Sequence, residues 1–342
     1  MSKLRQARLG VIGAGGIANS VHLPSLKELD ESNIVAICDL RLEKAEAAAK
    51  KFGTSETRTY WNMYEMLEKE QMDGVLVLVE PDRLFRAAKD VMMAGIPVLM
   101  EKPAGTSFHQ ADSLAHIAKE QGVTCAVAMN RRHTPVVQKV LNHMRKITTI
   151  TQVDGVFMKN TDLGHAWDYA SAFATDGIHA LDLVRYMAGS EVKDCATAIG
   201  RFSGCSKDNA WSSIMRFENG VLGTLRSNYQ TGARIHTFEI HGPGASAFIN
   251  LGFGDADASA TILYNNGGSM YSMASGGVGG VEREFIDGKE LAGSQDYHAY
   301  YGYKQEDADF IKAILTKTDP LCTIADAAKS LELAERLMRT TI

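Results

Sequence analysis

Residues 10–18 read GVIGAGGIA, and their reading decides the fold. The apolar run ARLGVIG that leads into them is strand-like, and IANSVHLPSLKEL, which follows, has the spacing of an amphipathic helix. Between the two, Gly13, Gly15 and Ala18 stand in the order G-x-G-x-x-A. Gly13 permits a tight turn, Gly15 leaves no side chain where a pyrophosphate must approach the backbone, and Ala18 lets helix and strand pack closely. The start of the helix, at Gly16, Ile17 and Ala18, then faces the anion. Asp39 closes the next apolar run, IVAICD, about 20 residues on, where an acid hydrogen-bonds the ribose hydroxyls of NAD. Arg41 can pair with a 2′-phosphate, so NADP stays open beside NAD as the cofactor.

Outward from this motif, short apolar runs alternate with amphipathic segments: RLEKAEAAAKKFG, DGVLVLV, LFRAAKDVMMAG, IPVLME, SFHQADSLAHIAKEQG and TCAVAM. Such alternation builds a parallel sheet from crossover units and covers it on both faces. Gly53, Gly95 and Gly122 punctuate the helices. After about residue 150 the texture changes to TQVDGVFMK, WSSIMRF, GVLGTLRSNY, HTFEIHG and SAFINL, separated by Gly, Asn, Asp and Ser clusters. Asn219-Gly220 between two strand-like runs is a hairpin signal. The expected fold is therefore α/β: an N-terminal Rossmann domain with a doubly wound parallel sheet, residues 1–129, then an α+β domain with an open, mostly antiparallel sheet, residues 130–342. Helices are expected near 174–189 and at the C-terminus, the latter able to pack back on the first domain. The glycine-rich stretch YNNGGSMYSMASGGVGGVER reads as a loop.

The 342 residues carry a formal net charge of -5, which gives no electrostatic reason to expect nucleic acid or an anionic membrane. Five scattered cysteines form no C-x-x-C, which speaks against a disulfide framework and a zinc cage and suits a reducing cytoplasm. No metal is expected. The N-terminus lacks a secretory apolar core, and no stretch approaches the roughly 18 apolar residues of a membrane span.

VLMEKPAG, residues 98–105, drives an apolar strand straight into Glu101, Lys102 and Pro103. The C-terminal end of a parallel strand is where open sheets place ligands.

The segments VIGAGGIA, AICDLRLEKAEAAAKKFG, MDGVLVLVEPDRLFRAAKDVMMAGIPVLMEKP, VAMNRRHTP and DGIHALDLVRYMAG together resemble the Gfo/Idh/MocA family of nicotinamide-dependent oxidoreductases, in its order and spacing. E-K-P at a strand end is the most diagnostic. The resemblance implies an enzyme that moves a hydride between nicotinamide and a secondary alcohol or ketone of a sugar, an inositol-like polyol or a glycoside. It places Lys102 at the reacting hydroxyl, with Glu101, Pro81 and Asn130 at the cofactor, and gives His179 the substrate proton. Arg131, Asp162, His165 and Trp167 fall where the family draws substrate contacts, and one of Tyr300, Tyr301 and Tyr303 lines the substrate cavity while the others pack. A homodimer or homotetramer is expected.

Two departures stand out. The family's commonest acid lies four residues before the histidine, where this chain has Thr175; Asp176 follows it, and Asp176 and Asp182 each lie three residues from His179 on the expected helix. Asp176 is the first choice as catalytic partner and substrate contact, and the Thr175 hydroxyl is the alternative contact to the substrate. Glu80, Asp82 and Phe85 also replace residues of a T-P-N-x-x-H pattern. Two other readings share these residues: redox-neutral glycoside cleavage on tightly held NAD, with His165 as an extra base, and a nucleotide-binding regulator without catalysis. Retention of Lys102 and His179 argues against the regulator.

Overall fold

The computed structural model describes residues 5–161, 163, 170–253, 257–265 and 281–341. The chain forms two compact units, Met1–His133 with Asp296–Glu335, and Thr134–Gln295 with Arg336–Ile342.

The first unit opens with six strands: β1 (Ala7–Ile12), β2 (Ser32–Cys38), β3 (Arg58–Tyr60), β4 (Gly74–Val77), β5 (Val98–Met100) and β6 (Cys125–Val127). They form one parallel sheet in the order β3-β2-β1-β4-β5-β6. The order reverses at β1, the switch point where open parallel sheets gather their ligands. The crossovers contain α1 (Leu23–Glu28), α2 (Leu42–Phe52), α3 (Met63–Lys69), α4 (Pro81–Met93) and α5 (Phe108–Gln121). With helices on both faces, β4 and β5 bury every side chain, which is why they read as unbroken apolar runs.

Local chemistry sets the helix limits. Pro81 opens α4, where a missing N–H leaves no bond unmade. Ser107 caps α5 by accepting from the Gln110 amide, and Gly122 ends it at φ +62°. Gly53 ends α2 differently from a left-handed stop. Its backbone is extended, and a Cβ there would sit 2.7 Å from the Ala49 carbonyl oxygen, so glycine is present for room.

Among the described residues the second unit carries eight strands: β7 (Gln152–Asn160), β8 (Val192–Gly200), β9 (Ala210–Phe217), β10 (Leu222–Asn228), β11 (Gln230–Gly242), β12 (Ala245–Asn250), β13 (Ser259–Asn265) and β14 (Val281–Asp287). Their order is β14-β13-β12-β11-β7-β10-β9-β8, antiparallel except for the parallel pair β7 and β10. The hairpin at Asn219-Gly220 joins β9 to β10, with Gly220 at φ +87°. Trp211, Met215 and Phe217 alternate inward along β9, so one face of the sheet is core.

Helices α6 (Pro135–Ile147), α7 (Ala172–Thr175), α8 (Ile178–Ala188) and α9 (Gly288–Ala292) accompany these strands. The α8 helix lies close on the sheet: a Cβ on Gly155 of β7 would come within 2.8 Å of Val184. The continuous helix expected from about 174 is two helices. Asp176, at φ -120°, and Gly177 separate α7 from α8, so Asp176 is not a member of the His179 helix and the i,i+3 face argument does not apply to it.

The chain then returns through α10 (Tyr297–Tyr300), α11 (Tyr303–Thr316) and α12 (Ile324–Arg339), whose residues up to Glu335 belong to the first unit. Phe310 and Ile311 of α11 enter its core beside Leu9, Leu76 and Leu99. A Cβ on Gly74 would lie 2.9 Å from the Phe310 ring, so β4 is shaped to receive that aromatic. Burial of such a ring stabilises by roughly 1.5–3 kcal/mol. The Val127 amide donates to Cys322 at 3.1 Å, and Ala126 bridges Thr323, which covers the β6 edge of the sheet. Among the described residues no helix is long and apolar enough to cross a membrane.

Candidate functional site

Gly13 follows β1 at φ +99°, a conformation open to glycine, and its absent Cβ would meet the Leu78 carbonyl oxygen at 2.4 Å. Nothing lies within 4 Å of where a Cβ on Gly15 or Gly16 would be. That open space before the helix start fits the approach of a pyrophosphate to bare backbone. Helical backbone begins at Gly16 and runs through a wide π-type turn, Ala18–His22, into α1. Asn19 holds the turn by donating from its side chain to the Ala14 and Gly15 carbonyls, each at 2.9 Å.

Asp39 leaves β2 beside this turn. One carboxylate oxygen accepts the Ala14 amide at 2.9 Å and the other accepts the Arg41 amide at 2.9 Å. Two amide donors fix the carboxylate without using up its acceptor capacity, so it can still receive ribose hydroxyls. The residues present fit a nicotinamide dinucleotide: a glycine turn, an open space at the helix start and an acid beside them.

Lys102, half-buried, leaves the C-terminal end of β5, and its bond to Pro103 is cis. Glu101 before it is buried and turned inward. One of its carboxylate oxygens accepts the Lys102 amide at 3.0 Å, and the other lies 3.3 Å from His22 Nε2. The remaining His22 nitrogen, Nδ1, lies 2.8 Å from Asp307 of α11. Burial alone would depress the His22 pKa, but the Asp307 and Glu101 carboxylates outweigh it and raise it well above the ordinary value. Burial likewise works against the Glu101 charge, yet His22 and Lys102 bring its pKa below the usual range.

Asn130, placed at the cofactor by the family resemblance, donates to the Tyr301 carbonyl at 2.9 Å and accepts from Arg131 at 2.9 Å. The Arg131 guanidinium stands 5.4 Å from the centre of the Tyr301 ring, and Arg132 pairs with Asp326. Tyr300, Tyr301 and Tyr303 form an aromatic group with Tyr297. Pro81 occupies the first turn of α4 just beyond β4, next to Glu80, Asp82 and Arg83.

Beside His22 sits Glu306 of α11, 2% exposed, with neither carboxyl oxygen hydrogen-bonded among the described residues. Burial first, then Asp307 and Glu101, pushes its pKa well above the ordinary value against the opposing pull of His22 and Arg131. The native state therefore keeps a proton there that the unfolded chain releases near its usual carboxyl pKa. Stability contributed by this proton is lost as pH rises from the unfolded value toward the folded one, at about 1.4 kcal/mol per pH unit for one proton. Glu306→Gln is expected to flatten the fall in stability that sets in as pH rises above the unfolded carboxyl value of about 4.5, measured by urea midpoints. Parallel curves for the two proteins would show that Glu306 titrates normally.

In the second unit His179 occupies the first turn of α8, buried, its amide donating to the Asp176 carbonyl at 3.3 Å. Asp176 is gathered by residues absent from the sequence argument. Lys159 of β7 donates to its Oδ2 at 2.6 Å and the buried Tyr229 hydroxyl donates to the same oxygen at 2.9 Å. Phe173 stacks on Trp211, and Trp211 meets Tyr229 edge-on, so the ring whose hydroxyl reaches Asp176 is itself packed in an aromatic cluster. Thr175 is buried and donates to the Ser171 carbonyl at 3.0 Å. Asp162, His165 and Trp167 lie outside the described residues, as does most of the glycine-rich stretch, 266–280.

Nothing in the local sequence marks His22, Glu306, Asp307 or Lys159 as members of these clusters. Only Tyr229, at the end of a strand-like run, gave a local hint of burial.

Residues 7–129 match the family model described as oxidoreductase family, NAD-binding Rossmann fold, and residues 144–248 match that of the GFO/IDH/MocA C-terminal domain. The chain is 23% identical over 315 residues to the uncharacterized protein YMR315W of Saccharomyces cerevisiae, covering 86% of this chain and 90% of that protein. It is 24% identical over 306 residues to D-glucoside 3-dehydrogenase of Escherichia coli, covering 82% and 83%. The crystal structure of a dehydrogenase from Chromobacterium violaceum superposes with a TM-score of 0.86 at 19% identity, over 99% of this chain and 96% of that one, a likeness of fold. Two successive domain models of one family, matched in order over most of the chain, and a glycine turn with the chemistry that the first of them names, establish that this chain belongs to the GFO/IDH/MocA family of NAD-binding oxidoreductases.

Proposed function

We propose that this protein is an NAD(P)-dependent dehydrogenase or reductase acting on a secondary alcohol, or the matching ketone, of a sugar, polyol or glycoside. The observation that carries this is in the first unit: Lys102 leaves the C-terminal end of β5 in the same parallel sheet whose β1 and β2 ends carry the glycine turn and Asp39. When bound, the nicotinamide dinucleotide supplies the hydride donor or acceptor. Gly13 and Gly15 admit its pyrophosphate, and Asp39 selects its ribose hydroxyls.

Lys102 lowers the barrier by donating to the substrate oxygen as alkoxide character develops there. His179 carries the hydroxyl proton, a task suited to imidazole because it titrates near neutrality. Asp176 is fixed in the second unit by Lys159 and Tyr229, which together set the direction of its carboxylate. The substrate class is taken from the relatives, among them the D-glucoside 3-dehydrogenase of Escherichia coli.

The test is to unfold freshly purified protein, identify any released nucleotide by mass, and then assay a panel of polyols, hexoses and hexosides with NAD and with NADP. Reduction of added cofactor by members of the panel is the expected result. Retained NAD(H) with cleavage of a glycoside and no net reduction would replace this reading with the redox-neutral one, and neither outcome with any substrate would favour a regulator.

A further inference from the structure

His22 is wholly buried in the turn between the glycine motif and α1, where cofactor binding calls for no titratable ring. Its two nitrogens face two carboxylates. Asp307 Oδ1 lies 2.8 Å from Nδ1 and Glu101 Oε1 lies 3.3 Å from Nε2, while the Tyr303 ring stands edge-on at 5.8 Å. Ionised carboxylates only accept, so a ring that satisfies both must donate from both nitrogens. The second oxygen of Glu101 accepts the backbone amide of Lys102 at 3.0 Å. A continuous line therefore runs from α11 through an imidazole and a carboxylate to Lys102 at the C-terminal end of β5.

We infer that His22 is a positioning residue for Lys102: anchored by Asp307, it holds the Glu101 carboxylate, whose other oxygen fixes the Lys102 amide and so the direction in which the lysine projects. The inference rests on the proposed role of Lys102 only for its effect on turnover. The other charged and titratable groups acting on this line are Glu306, Tyr303, Arg131 and His298, from α11, the turn after β6 and α10. The raised pKa of His22 agrees with a doubly donating ring. A purely structural role would be different in kind: His22 would tie α11 to the sheet through Asp307, and its contact with Glu101 would be incidental.

Two substitutions separate these roles. The amide of His22→Gln reaches the place of Nε2 and can still donate to Glu101, whereas that of His22→Asn reaches the place of Nδ1 and keeps only Asp307. Hydrogen exchange of the Lys102 amide reads the clamp without any need for catalysis. Exchange is expected to stay slow in wild type and His22→Gln and to become about tenfold faster or more in His22→Asn. Turnover should follow the same split, with His22→Gln near wild type and His22→Asn reduced about tenfold to 100-fold, as for a small misplacement of a reacting group. Equal exchange and equal turnover in the two variants, or an Asn variant better than the Gln one, would overturn the inference. If exchange splits as expected while Lys102→Ala leaves turnover unchanged, the clamp stands and the catalytic role of Lys102 falls.

Discussion

Lys102→Ala is expected to lower kcat by about 10²–10³-fold, the usual cost of removing one donor aimed at a developing oxyanion. Nucleotide affinity should change little. The glycine turn, the helix start and the Asp39 carboxylate are held by their own contacts, from Ala14, Asn19 and Arg41, none of which passes through the Lys102 side chain. The fold should also survive, because Lys102 is only half-buried and the core strand before it ends at Met100. Lys102→Arg is the informative companion. It keeps the positive charge but replaces a compact ammonium with a planar fork, so it should recover little of the lost turnover if position at the oxygen matters more than charge. Steady-state kinetics on a substrate from the panel, with nucleotide binding measured separately, decides the matter. Unchanged kcat in the alanine variant would remove Lys102 from the reaction, and a loss confined to nucleotide affinity would move it to the cofactor site.

What could be read in the sequence divides along a physical line. The Rossmann turn was legible because each of its demands is local: Gly13 must take a positive φ, Gly15 must be bare, and Asp39 must end the next strand. The strand end at Lys102 was legible for the same reason, as an apolar run that stops in charge. The hairpin at Asn219-Gly220 needed only its own two residues. The His22–Asp307 contact spans 285 positions and exists because α11 rejoins the first unit, which no periodicity announces. Lys159 and Tyr229 converge on Asp176 through the pairing of β7 with β10 and β11, so their meeting is a property of sheet order. The break between α7 and α8 was hidden because Gly177 keeps helical angles and the apolar pattern runs on across it. Space also matters there: a Cβ on Gly177 would lie 2.8 Å from the Phe173 carbonyl oxygen, a constraint that arises only after the chain has turned.

Gly13→Ala and Gly15→Ala, two substitutions of one motif, are expected to fail in different ways. At Gly13 the added Cβ would lie 2.4 Å from the Leu78 carbonyl oxygen and the backbone sits at φ +99°, so both the strand end and the residue's own conformation must shift. Left-handed strain alone costs roughly 1–2 kcal/mol, and the clash is with backbone between β1 and β4, which has no flexible end to swing aside. A marked fall in melting temperature, of about 4 °C or more for a chain of this size, should accompany loss of nucleotide binding. At Gly15 a Cβ meets nothing within 4 Å and φ is not positive. That variant should fold with an unchanged melting temperature in the absence of nucleotide. Its methyl group instead occupies the open space before the helix start, so nucleotide affinity should drop about tenfold or more, the equivalent of about 1.4 kcal/mol. Thermal unfolding with and without added NAD separates the two: the Gly15 variant should show a smaller ligand-induced rise in melting temperature at the same NAD concentration and no other change. If Gly15→Ala still binds NAD as wild type does, the pyrophosphate does not pass over that backbone, and the assignment of the glycine turn to the cofactor fails with it.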